Sequence, residues 1–172
     1  WLSDEPDIRV IIFCGVDYVA DYVSEKLDND LNFFVERHDP SRSILFDSSD
    51  EYRVIVCDDK GEDGLNFNGG KKLIIHYSLP FSFSRIEQRI GRVNRYCSDR
   101  LAEPITNLVL LPETDQYSRR WHHVLAEAIG IYKESAARLQ YILEDPISKA
   151  WADVATEGVE SLDNLHFLLA GD

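Results

Sequence analysis

The chain has 172 residues, 44% of them hydrophobic and 28% charged, with a net charge of −13. These are the figures of a globular protein with room for one ordinary domain and an appendage. The acidity argues against a free-standing nucleic-acid binder, and no apolar run approaches the roughly 20 residues that span a bilayer. The early apolar run Val10–Cys14 is too short for a secretory leader and follows several acids. A chain that starts at Trp1 and has no methionine is expected to be a segment of a longer protein.

Arg9–Cys14 is almost continuously apolar, the pattern of a strand buried on both faces. Gly15 turns the chain, and Asp17 is placed to cap a helix through Leu27, with Val19, Tyr22, Val23 and Leu27 on one stripe. Leu31–Val35 reads as a second strand. His38–Asp50 is polar and reads as a loop around a brief turn at Ile44–Phe46. Tyr52–Cys57, Lys72–Tyr77 and Ile105–Leu111 are further short strands, and Ser84–Arg95 is a helix. Strands alternating with helices predict an α/β fold, a mostly parallel sheet with helices on both faces.

The pattern changes after Pro112. Tyr117, Trp121, Val124, Ala128 and Tyr132 recur at helical spacing, as do Leu139, Ile142 and Leu143. Gly130 is placed to split this helix, Asp145-Pro146 to end it, and one or two more helices to fill Ile147–Leu169. The expected division is an α/β lobe over residues 1–112 and a helical extension over residues 113–172. Cys14, Cys57 and Cys97 lie far apart with no CxxC pair. Neither a disulfide framework nor a zinc site is expected of them, and a cytoplasmic setting fits.

Charge is not spread evenly. Five arginines (85, 89, 92, 95 and 100) stand against only Glu87 and Asp99 in one short stretch of an otherwise acidic chain. On a helix, Ile86, Ile90 and Val93 share an apolar face, and Gln88, Arg92 and Arg95 repeat that spacing two residues on, about 200° away. Two guanidiniums and an amide on one stripe suit a phosphate chain. Spacing alone leaves open a solvated helix face as well.

The motifs here carry a resemblance. Gln88–Arg95, QRIGRVNR, resembles motif VI, Q-x-x-G-R-x-x-R, of helicase superfamily two. It follows Tyr77-Ser-Leu-Pro-Phe81, similar to the D-L-P-x-x-P segment before motif VI in Swi/Snf-type ATPases. Lys60-Gly-Glu-Asp-Gly-Leu-Asn-Phe67 resembles motif V of that family, and Val10–Gly15 resembles motif IV, the strand that opens the second RecA-like lobe. The likeness falls nearest the bacterial RNA-polymerase-associated branch, where an Arg-Trp pair, here Arg120-Trp121, also begins a helical region. It covers roughly residues 8 to 143.

What the resemblance implies is a C-terminal motor lobe that completes an ATP site made with a preceding lobe of the same chain. That first lobe would bring the Walker lysine and the ligands of Mg2+. Arg92 and Arg95 match the arginines that reach the γ-phosphate across the cleft. Gln88 matches the position that seats the nucleotide, and Gly61, Glu62 and Asp63 match motif V near the ribose and phosphates. Gly64 and Asn66 match positions that couple this site to the nucleic-acid backbone, and Arg85 is placed for a further phosphate contact. The implied substrate is duplex DNA, with a protein partner on the helical extension. The alternatives are a degenerate lobe used as a docking scaffold and a lobe of an RNA-directed helicase. Departures from the pattern are Arg95-Tyr-Cys-Ser98 where the family has R-x-G-Q, Asn68 in place of a glutamine, and the abbreviated His38-Asp-Pro-Ser-Arg42.

Other motifs are excluded. Gly64–Lys72 lacks Walker A spacing and a following Ser or Thr, and Gly61-x-x-Gly64 lacks the rest of a dinucleotide fingerprint. Asp58-Asp59 reads as a solvated loop. No metal site is expected: His122 and His123 point about 100° apart on a helix. Trp1, Trp121 and Trp151 read as core or docking aromatics.

Overall fold

A computed structural model describes residues 8–31, 34–39, 41, 52–63, 71–93, 105–133 and 136–171. The expected turn at Ile44–Phe46 lies outside them, as do Trp1 and Cys97. The chain divides into two compact units, one made of Trp1–Ser78 with Gln88–Leu110 and the other of Leu79–Glu87 with Leu111–Asp172.

The first unit holds a five-stranded sheet with β1 (Arg9–Phe13), β2 (Phe34–Arg37), β3 (Tyr52–Cys57), β4 (Lys72–His76) and β5 (Ile105–Val109), in the order β2-β3-β1-β4-β5. Every pairing is parallel, and β1 sits centrally with Val10 opposite Val54 on one side and Leu73 on the other. Successive side chains of a strand face opposite sides, so both sets in β1 are apolar. Val10 and Ile12 pack with Val54, Val56 and Leu73 and with Ala20 and Val23 of helix α1 (Asp17–Asp30). Ile11 and Phe13 pack with Ile55, Cys57 and Ile74 and with Val93 of helix α2 (Phe83–Val93). The sheet is therefore covered by helices on both faces, the expected α/β arrangement.

Several expectations shift in detail. Val16 occupies the cap position of α1 without a side-chain hydrogen bond, and Asp17 is the first helical residue, its carboxylate drawn instead to Arg37. Tyr22 leaves the buried stripe at 58% exposure, because that stripe is centred on Ala20, Val23 and Ser24. The helix continues past its last apolar residue to Asp30, so β2 begins at Phe34 and not Leu31. β4 and β5 end at His76 and Val109, earlier than expected.

The second unit contains α3 (Gln116–His123), a π-helical turn (Val124–Ile129), a short 3-10 turn (Ala137–Leu139), α4 (Gln140–Glu157) and α5 (Glu160–Ala170). Asp115 caps α3 by accepting from the Ser118 backbone N–H at 3.0 Å. Gly130, at φ +72°, ends the π turn in the left-handed region that glycine takes without strain. Trp121 is fully buried, donates from Nε1 to the Pro80 carbonyl at 2.8 Å and meets the Trp151 ring edge-on at 5.6 Å. Trp121 is a core aromatic and Trp151 packs half-buried against it, whereas Tyr117 is exposed. Pro146 does not end a helix; it lies inside α4. The bond it cannot make would reach the carbonyl of Ile142, a residue 66% exposed, where water can serve the freed acceptor. Ile142 and Leu139 are accordingly solvent-facing, and Leu143 is the buried member of that trio.

Gly15 joins two reasons for glycine in one place. Its φ is +79°, and a Cβ there would come 2.5 Å from Ser78 Oγ. The turn after β1 and the turn after β4 approach too closely for a side chain between them. Gly15→Ala should therefore lower unfolding free energy by about 1–2 kcal/mol, measured by urea denaturation of the whole chain.

Candidate functional site

In a parallel sheet all strands end at one edge, and the loops leaving that edge carry the chemistry. Here the loops after β1, β3 and β4 are tied together by their backbones. Cys14 N–H donates to Cys57 O at 2.9 Å, Asp59 N–H to Gly15 O at 2.7 Å, and Ser78 N–H to Phe13 O at 3.1 Å.

The loop after β3 is built around Asp58. Its Oδ1 accepts from the Lys60 and Gly61 backbone N–H groups at 2.9 and 2.7 Å, and its Oδ2 takes the Arg37 guanidinium at 2.8 Å. Asp58 is buried, not solvated as the sequence suggested. Burial pushes its carboxyl upward, but Arg37 and the two N–H groups outweigh that and hold it below the usual carboxylate range. The 3-10 turn Gly61–Asp63 follows directly. Gly61 packs on His38, where an added Cβ would come 2.8 Å from the ring.

Arg37 is a hub that sequence reasoning missed. From the end of β2 it reaches Asp58, Asp21 at 2.8 Å, Asp17 at 3.3 Å and the His38 carbonyl at 2.9 Å. Burial opposes its charge, yet hydrogen bonds to Asp58 and Asp21 raise its pKa above the ordinary arginine value. The available signal was Asp17 and Asp21, four residues apart and so on one helix face, awaiting a cation.

The second missed residue is Arg89. It lies three residues after Ile86 and four before Val93, at the margin of the apolar face of α2, and is only 1% exposed. Its Nε and Nη2 donate to Glu62 Oε1 at 2.8 and 2.5 Å, its Nη1 to the Ser78 carbonyl at 2.7 Å, and Asp59 lies 3.6 Å away. Its guanidinium also lies over the Phe13 ring, 5.0 Å from the centroid. One of the five clustered arginines is thus neutralised inside the fold, and the Glu62 carboxylate is engaged by it. A charge on an apolar face must find a partner, and that was the legible clue. At the far end of the same helix, Lys72 Nζ donates to the Val93 carbonyl at 3.1 Å.

Of the residues the sequence singled out, Gln88 is exposed and Arg92 half-exposed on α2, one turn apart, and Arg85 is half-buried. Ile86, Ile90 and Val93 are buried as expected. Gly61 and Glu62 sit in the turn after β3, with Asp63 ending it. Arg95, Gly64 and Asn66 lie outside the described residues. Cys14 and Cys57 are free, buried thiols; burial pushes Cys14 up to about 11 and raises Cys57 well above the ordinary thiol value.

A central β1 flanked by parallel neighbours, with these loops at its carboxyl edge, defines a RecA-like lobe. The profile of the helicase conserved C-terminal domain matches residues 2–97, and the chain belongs to that family, as a C-terminal RecA-like lobe. Among curated relatives, RNA polymerase-associated protein RapA of Sodalis glossinidius is 26% identical over 120 residues, covering 63% of this chain and 12% of the relative. RapA of Pectobacterium atrosepticum is 31% identical over 88 residues, covering 48% and 8%. The chain thus spans about an eighth or less of these relatives. Among solved structures, the C-terminal part of the Fun30 ATPase domain matches at TM-score 0.52 and 20% identity, over 85% of this chain and 48% of that one. A structure of Mss116p bound to ssRNA and AMP-PNP matches at TM-score 0.53 and 16% identity, over 99% and 39%. Both likenesses are of fold.

Two outcomes follow from this geometry. Arg89→Met, which strands a buried carboxylate, should cost about 3–5 kcal/mol, and adding Glu62→Gln should return part of that loss, read as a double-mutant cycle in urea. Because the folded pKa of Asp58 is depressed, its contribution is complete above the unfolded value, about 3.9, and is lost as pH falls through the folded value. Denaturation curves from pH 7 to pH 2 should show that acid-dependent loss in the wild type and a shallower one in Asp58→Asn.

Proposed function

We propose that the chain is the C-terminal motor lobe of an ATP-dependent duplex-DNA translocase of the Swi/Snf kind, inactive without the lobe that precedes it. In this reading residues 1–112 are the lobe and residues 113–172 a helical extension that offers a surface to a protein partner. The observation that carries it is the pinning of α2. Arg89 is buried on Glu62 and the Ser78 carbonyl, which fixes the helix against the loops of the strand ends while Gln88 stays exposed and Arg92 half-exposed. Arginine keeps its charge and offers a fork of donors, so a fixed helix bearing Arg92, with Arg95 beyond it, is suited to stabilise charge on a transferring phosphoryl group.

The division of labour follows. Arg92 and Arg95 act on the γ-phosphate of ATP held by the first lobe with Mg2+, and Gln88 helps seat the nucleotide. Gly61, Glu62 and Asp63 shape the turn beside it, with Glu62 acting through Arg89. Gly64, Asn66 and Arg85 face the nucleic-acid backbone. Closure of the lobes assembles the site, and cycles of closure move the protein along DNA. The acidic chain by itself predicts weak DNA binding, with affinity supplied by both lobes together. Buried, free Cys14 and Cys57 support a reducing, cytoplasmic setting.

Gly91 supplies a separate handle. It is exposed within α2, and a Cβ there would meet nothing within 4 Å among the described residues, so packing among those residues does not require glycine.

The test is ATP turnover by the intact parent with no nucleic acid, duplex DNA or single-stranded RNA. Stimulation by duplex DNA, with Arg92→Ala and Arg95→Ala each losing about 100-fold or more in kcat while remaining folded, is the expected result. Unchanged turnover in both variants would make the lobe a scaffold, and stimulation by RNA alone would make it an RNA-directed helicase. Gly91→Ala should stabilise the chain by about 0.5–1 kcal/mol yet lower turnover, a combination that packing alone would not produce.

A further inference from the structure

We propose that His123, Glu127 and His166 form a three-ligand site for a divalent transition metal of the zinc type, within the helical extension. The donor atoms of these three side chains all lie within 4.8 Å of one another. His123 and Glu127 are four residues apart, with Nδ1 and Oε1 3.3 Å apart. The second imidazole comes from another helix: the His166 ring on α5 stacks on that of His123 with centroids 4.2 Å apart and planes 12° apart. His122 and His123 diverge on their helix, but the fold supplies the partner that their sequence neighbourhood does not.

Three observations make this more than a surface ion pair. Among the described residues, His166 Nε2 is buried with no hydrogen-bond partner, an orphaned nitrogen of the kind a metal satisfies. The two helices are also held in register one turn away, where Arg120 Nε donates to both oxygens of Asp163 at 3.1 and 2.9 Å. Three residues on from Arg120 is His123, and three on from Asp163 is His166. Glu127 stands in the π turn Val124–Ile129, a wider turn that departs from α-helical geometry and recurs at functional sites.

The donor set is two imidazole nitrogens and one carboxylate oxygen, which suits zinc, cobalt or nickel over magnesium or calcium. Zinc bonds of about 2.0–2.1 Å place tetrahedral ligands about 3.3 Å apart. Each imidazole ligates in its own plane, so binding turns the His123 ring out of its stack on His166 and draws the three groups inward. His123 and Glu127 have that freedom, with side chains 47% and 65% exposed. Three protein ligands leave a fourth position for water, and the ion clamps the π turn and α3 to α5. The site is independent of the nucleotide reading, and its test does not use ATP.

The experiment is calorimetric titration of the whole chain with zinc, followed by visible spectroscopy with cobalt(II). One ion per chain, bands of a tetrahedral cobalt centre and a zinc-dependent rise in Tm are expected. Affinity should fall roughly tenfold or more in each of His123→Ala, His166→Ala and Glu127→Gln, with His122→Ala and Cys97→Ser unchanged. Far-UV circular dichroism checks folding, and exposed Glu127→Gln keeps the test decisive should a histidine variant unfold. Absence of stoichiometric binding, or binding that survives in the folded variants, overturns the proposal.

Discussion

The lobe depends on a guanidinium inside it. Burying Arg89 is unfavourable in isolation, because a charge removed from water loses far more than a single contact returns. Glu62, the Ser78 carbonyl and the face of Phe13 compensate together, and each belongs to a different segment: the turn after β3, the turn after β4 and the end of β1. Satisfying one ion therefore fixes two turns, a strand end and a helix at once. Arg37 does the same on the other side of the sheet's edge, gathering Asp17, Asp21 and Asp58. Between them, the two arginines organise the turns that leave β1, β3 and β4.

Much of this architecture was legible. Arg9–Cys14 and Tyr52–Cys57 carry apolar residues on both alternating sets, the pattern of a covered parallel sheet, and with Lys72–Tyr77 they form the three inner strands. Ile86, Ile90 and Val93 announced the buried face of α2. The edges of elements were less legible because their limits depend on what a side chain finds in space. Asp17 is a good cap by type, yet Arg37 claims its carboxylate. Pro146 is a stop signal by type, yet a solvent-facing carbonyl tolerates its missing N–H.

The candidate site divides along the same line. The stripe of Gln88 and Arg92 followed from helical spacing, a local property. That Arg89 turns inward, and that Asp58 is buried, depended on partners from other strands, a non-local property that one sequence encodes only as a charge awaiting its counterpart. His166 is a similar case: it lies far along the chain from His123, and no local spacing relates them.

The strand order has a consequence for how the chain acquires its shape. β1 precedes the other described strands and sits at the centre of the sheet, yet its neighbours β3 and β4 come much later in the chain. Parallel neighbours cannot close as hairpins, so the early partner of β1 is helix α1, which covers Val10 and Ile12 on one face only. Ile11 and Phe13, on the other face, wait uncovered until the chain has been made past Val93. Slow, long-range closure of this kind exposes sticky surface during synthesis. The interval before α2 arrives is thus when a nascent chain of this lobe is most open to misassociation, and most in need of shielding by another molecule.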